Sequence, residues 1–60
     1  MKFIKLTTVS DRIVYVNPKK IVSIRMMKES TLITYPGDDD NCDSVKETPE
    51  EIINRISLLI

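Results

Sequence analysis

Apolar residues along this chain follow two periods, and the point where one gives way to the other divides the protein. From Thr48 onward Ile52, Ile53, Ile56, Leu59 and Ile60 fall at i, i+1, i+4, i+7 and i+8, one stripe at the helical repeat, while Glu50, Glu51, Asn54, Arg55 and Ser57 fall away from it. The start of that segment is marked by its chemistry. Thr48 is suited to cap the helix, Pro49 has the φ preferred at the first helical position, and Glu51 stands where a capping-box carboxylate belongs. The spacing predicts a helix over 49–60. So short a helix is marginal alone in water, so its isoleucine face must be buried against the segments upstream.

Those segments alternate with a period of two. Strands are predicted over 2–9, 13–17, 21–28, 31–35 and 44–47. In the first, Ile4 and Leu6 point one way and Phe3, Lys5, Thr7 and Val9 the other. Ser10-Asp11-Arg12 is a short reversal without the Asn-Gly or Asp-Gly of the tightest hairpins. Ile13-Val14-Tyr15-Val16 is an uninterrupted β-branched and aromatic run, expected where both faces of a strand are covered. Asn17-Pro18 opens a turn. The third strand then divides into Val22, Ile24 and Met26 on one face and Ile21, Ser23, Arg25 and Met27 on the other, and Pro36-Gly37 ends the fourth. The sum is an α+β fold: an antiparallel β-meander of four to five strands with one C-terminal α-helix packed on one face, forming a single small domain over 1–60.

A helix of about 18 Å, at 1.5 Å per residue, covers one face of such a sheet. Apolar residues nevertheless occur on both, since Phe3 and Val9 oppose Ile4 and Leu6, and Val14 and Val16 oppose Ile13 and Tyr15. The second face needs its own cover, and a second subunit supplies it more economically than a sheet curling on itself. Size points the same way. A 60-residue domain leaves little margin over conformational entropy and is usually reinforced by disulfides, a metal or a partner. One cysteine and no histidine leave self-association as the route, a dimer being favoured.

Composition is that of a folded domain, 42% hydrophobic and 30% charged. Lys5 interrupts the apolar start and no small-residue cleavage site follows, so a cytoplasmic location is expected; no segment approaches membrane-spanning length, so no membrane partner is expected. Net charge is zero but uneven: seven positive residues against Asp11 alone up to Lys28, and two positive against eight negative from Glu29. Interleaved in one sheet, these charges are expected to pair across strands. Segregated, they make a basic and an acidic face.

Candidate chemistry is sparse. Asp39, Asn41, Asp43 and Glu50 stand at positions one, three, five and twelve of an EF-hand loop, but Ser44 replaces the glycine of position six and Glu50 belongs to the helix start. A solvated loop that discourages edge pairing is the reading preferred. Lys19, Lys20, Arg25 and Lys28, with Tyr15 and Tyr35 on neighbouring strands, are the makings of a surface for single-stranded nucleic acid, although no RNA-recognition motif accompanies them. Cys42, among carboxylates in a loop, is disfavoured as a thiolate. Met26-Met27 fits an adaptable contact surface. No histidine, glycine-rich phosphate loop or nucleophile elbow is present, so neither catalysis nor a cofactor is expected.

Three stretches, Ile4-Lys5-Leu6-Thr7, Val14-Tyr15-Val16-Asn17-Pro18-Lys19-Lys20-Ile21-Val22-Ser23-Ile24 and Val45-Lys46-Glu47-Thr48-Pro49-Glu50-Glu51-Ile52-Ile53-Asn54-Arg55-Ile56, together span most of the chain. Their pattern resembles the FlbD family of short proteins encoded in bacterial flagellar operons. The chain departs from it at Asp11-Arg12, where the family tends to carry a glycine turn, and in the expanded 38–43 loop. The resemblance implies a small accessory protein acting by contact and transfers no catalytic residues. The expectation is a non-enzymatic, self-associating module that binds an unidentified protein. Its interaction surface is drawn from Lys19, Lys20, Arg25, Met27, Leu58, Leu59 and Ile60, and the alternative is a single-stranded nucleic-acid-binding regulator.

Overall fold

In the computed structural model residues 2–37 and 40–59 are described. Five short strands and one helix follow in order: β1 (Ile4–Thr7), β2 (Ile13–Val16), a 3-10 turn (Pro18–Lys20), β3 (Ser23–Met26), β4 (Thr31–Thr34), β5 (Cys42–Val45) and α1 (Pro49–Ser57). The α+β fold with one C-terminal helix is as the sequence implies. The strands, however, form two antiparallel sheets, β1-β2 and β3-β4-β5. A single bridge, Thr8 to Val45, joins them. Across it Val9 N–H donates to Ser44 O at 3.1 Å and Lys46 N–H to Thr7 O at 2.8 Å. Neighbouring strands therefore run β2, β1, β5, β4, β3, and the sequence neighbours β2 and β3 lie at opposite ends.

The reason lies between them. Asn17 Oδ1 accepts the Lys19 N–H at 3.0 Å, and the carbonyls of Asn17 and Pro18 accept the N–H groups of Lys20 and Ile21. The 3-10 turn thus consumes the backbone groups that a β2-β3 hairpin would need. Emerging from it, Ile21 packs against the core while Val22 is solvent-exposed, and of the predicted face Val22, Ile24 and Met26 only Ile24 reaches the core, so the alternation expected of the third strand is not kept.

Two other turns have a local cause. Asp11 takes a left-handed φ of 65°, and around it Thr8 N–H donates to Arg12 O at 2.7 Å and Asp11 N–H to Thr8 O at 3.0 Å. Aspartate is one of the few residues that tolerates this conformation, which is how the reversal forms without glycine. Gly37, at φ 120°, turns the chain so that Tyr35 N–H reaches Asn41 O at 2.9 Å. That reversal starts β5 at Cys42, two residues ahead of the predicted 44–47, and Lys46 and Glu47 fall outside the strand.

Ile4, Leu6, Val16, Ile33, Val45 and Ile52 form the core, surrounded by Val14, Ile21, Ile24, Tyr35, Ile56 and Leu59. Helix α1 packs against β1 and β3. Thr48 Oγ1 accepts the Glu51 N–H at 3.2 Å, the expected cap. The stripe is narrower than predicted: Ile52 is fully buried, whereas Ile53, one position around the helix, is 55% exposed. The helix ends at Ser57, short of the predicted 60, as Leu58 N–H bonds back to Asn54 O and Leu59 N–H to Ile56 O.

Candidate interaction surface

Alternate residues of a strand direct their N–H and C=O to opposite edges, and in β1 the odd positions face away from β2. That edge is closed by side chains as well as by β5. The Glu47 carboxylate accepts the Thr7 N–H at 2.9 and 3.0 Å. Arg55 Nη1 donates to Lys5 O at 2.5 Å and to Glu47 Oε2 at 3.2 Å. Burial by itself would raise the Glu47 carboxyl pKa; the N–H groups of Thr7 and of Glu47 itself, with Arg55, outweigh it and hold the group below its ordinary range. Beside this clamp lies a groove of about 390 Å³ lined by Phe3, Lys5, Thr7, Arg55, Leu58 and Leu59.

The face of β1-β2 turned from the core is apolar. Lys5 stands opposite Tyr15 and Thr7 opposite Ile13, with Phe3 and Val9 continuing the same parity at either end. Because Thr7 bonds away from β2, these are the close pairs of an antiparallel ladder that exchange no hydrogen bonds, so Ile13 and Tyr15 direct their own N–H and C=O to the free edge of β2. Phe3 is 46%, Val9 51%, Ile13 56% and Tyr15 64% exposed. The one helix covers the opposite face, where Ile4, Leu6 and Val16 are buried.

The expected interaction residues do not converge. Lys19 and Lys20 are exposed on the 3-10 turn and Arg25 is exposed on β3. Met27 is exposed just beyond that strand. None of the four lines the groove. Leu58, 77% exposed, does line it, but Leu59 packs against the core and needs no partner to cover it. Ile60 lies outside the described residues. Tyr35 is withdrawn from the nucleic-acid surface: its hydroxyl donates to Asp43 Oδ2 at 2.8 Å, and burial, then that carboxylate, raises its pKa. Cys42, expected in a loop, is a half-buried residue of β5.

The charges also differ from expectation. Among the described residues the ion pairs are Lys46–Asp11 and Arg55–Glu47. Asp11, Lys46 and Arg55 are the minority charges of their halves, so among the described residues no ion pair joins the basic majority to the acidic one. Of the calcium-spaced residues, Asp39 lies outside the described set, Asp43 is held in β5 by Tyr35, and Glu50 is in the first turn of α1. No three His, Cys, Asp or Glu side chains converge on a metal position among the described residues, and no helix there is long and apolar enough to cross a membrane. Sequence reasoning placed Glu47 in a strand and missed its role. A lone carboxylate between Val45 and the helix cap is too common a pattern to signal a buried clamp.

Comparison with known proteins yields no match, whether to a family model, a curated protein or a solved structure.

Proposed function

We propose that this protein is a non-enzymatic interaction module that self-associates and acts by binding another protein. The supporting observation is the outer face of β1-β2, where Phe3, Val9, Ile13 and Tyr15 are each about half exposed or more. Lys5 and Thr7 stand among them, and an exposed apolar patch set among polar residues is the usual mark of a contact surface. The role is that of a small accessory protein, as the resemblance to the FlbD family implies, and a cytoplasmic location belongs to the same reading.

Sedimentation equilibrium over a wide dilution range tests it, with Tyr15→Ser as control. The expected result is a mass above the 6.9 kDa monomer that Tyr15→Ser reduces. A monomer at every concentration would remove the self-association.

A nucleic-acid reading has narrower support, in the cross-strand pair Lys5–Tyr15 and the exposed Lys19–Lys20 turn. Salt-dependent binding to a single-stranded oligonucleotide, weakened by changing Lys19 and Lys20 to Glu, would favour it.

A further inference from the structure

We infer that the partner of the free β2 edge is β2 of a second copy, paired antiparallel about a two-fold axis at Val14. The inference rests on the self-association proposed above and specifies where and in what register it occurs. The two edges of the β1-β2 sheet are treated differently. On β1, the Thr7 N–H and the Lys5 carbonyl are taken by Glu47 and Arg55, the Thr7 carbonyl by the Lys46 N–H just past β5, and the Val9 N–H by the Ser44 carbonyl of β5. On β2, the strand Ile13-Val14-Tyr15-Val16 contains no charge, proline or glycine, the residues that ordinarily keep an exposed edge from pairing. No hydrogen bond from its outward groups is found among the described residues.

Geometry then limits the register. Only Ile13 and Tyr15 present N–H and C=O outward, so residues facing each other across the new ladder must both come from this pair. Pairing cannot extend past Val16, because the Asn17 carbonyl already accepts the Lys20 N–H. Nor can it extend below Arg12, because Asp11 is left-handed and its N–H is bonded to Thr8 O. The register that uses all four outward groups of each copy sets Ile13 opposite Tyr15 of the second copy, and Tyr15 opposite its Ile13, with Val14 on the axis. An aromatic residue opposite a β-branched one is a favourable cross-strand pair. The product is one four-stranded sheet carrying both apolar outer faces side by side.

Two measurements on the full chain test this. Proteins carrying Ile13→Cys and Tyr15→Cys, each with Cys42→Ser, are oxidised separately and mixed. The paired register brings positions 13 and 15 of different copies to roughly 5.5 Å between Cα atoms, within disulfide reach, and like positions beyond about 7 Å. The mixture should cross-link and the separate proteins should not. Sedimentation of Ile13→Pro, whose missing N–H is one that faces outward, should give 6.9 kDa with the circular dichroism of the parent. A dimer that persists in Ile13→Pro and cross-links equally well in the separate proteins would overturn the edge pairing while leaving self-association standing. A wild-type monomer at all concentrations would overturn both.

Discussion

The Glu47 carboxylate accepts the Thr7 backbone N–H with both oxygens, at 2.9 and 3.0 Å, across forty positions of sequence. It does so while 8% exposed, so removing it leaves the Thr7 N–H without its acceptor and the Arg55 guanidinium with the Lys5 carbonyl alone. Glu47→Ala is expected to cost about 2 kcal/mol, the range for a lost hydrogen bond to a charged group. In a domain this small that lowers the melting temperature by roughly 10 °C. Thermal unfolding followed by circular dichroism checks it, and an unchanged melting temperature would reduce the clamp to a decoration of the edge.

The same carboxylate predicts a pH dependence. Its folded pKa lies below the ordinary 4.5, so the folded state favours the ionised form. Its contribution is fully present above that ordinary value and is lost as pH falls through the lower folded value. Urea midpoints of the parent should therefore drop on acidification below about pH 4.5, and those of Glu47→Gln should drop less. Parallel curves would assign the acid sensitivity to other carboxylates.

At Asp11 the backbone rather than the side chain sets the expectation. A left-handed φ of 65° costs an ordinary L-residue about 1 kcal/mol. Asp11→Ala should destabilise by about that amount, and Asp11→Gly should be close to neutral because glycine has no Cβ to strain. Both variants lose the exposed Lys46 ion pair, so the difference between their melting temperatures isolates the conformational effect. Equal losses in the two would mean the ion pair, not the turn, makes residue 11 matter.

The helix offers a paired test of what its isoleucines do. Ile52 is wholly buried and Ile53 is 55% exposed. Ile52→Ala is expected to cost 2–5 kcal/mol, roughly the whole stability of a small domain, and to leave the chain largely unfolded at 25 °C. Ile53→Ala should change the monomer's stability by less than about 0.5 kcal/mol. Chemical denaturation of both variants distinguishes a one-residue-wide core contact from the two-isoleucine stripe that periodicity implies.

Thr48→Ala tests the cap by itself. Its Oγ1 accepts the Glu51 N–H, and loss of such a cap costs about 1 kcal/mol. The measurement is helical ellipticity together with the denaturation midpoint, and a variant that retains both would show that packing of Ile52 alone sets the helix start.

What the sequence determined by itself was local. Its two apolar periods place five strands and a terminal helix, the Thr48-Pro49 cap marks where one period gives way to the other, and alternation in β1 assigns Ile4 and Leu6 inward and Phe3 and Lys5 outward. Each of these depends on residues within a few positions of one another, where periodicity and turn chemistry act directly. The tertiary structure decided which strands are neighbours, because the 3-10 turn after Asn17 uses up backbone groups and sends β3 away from β2. It decided that Leu59 serves the core and Leu58 the surface, a matter of where the last helical turn meets the sheets. It alone made Glu47 an edge-closing group and left the edge of β2 open. A strand's unsatisfied edge is a relation between segments far apart in sequence, and no periodicity within either segment records it.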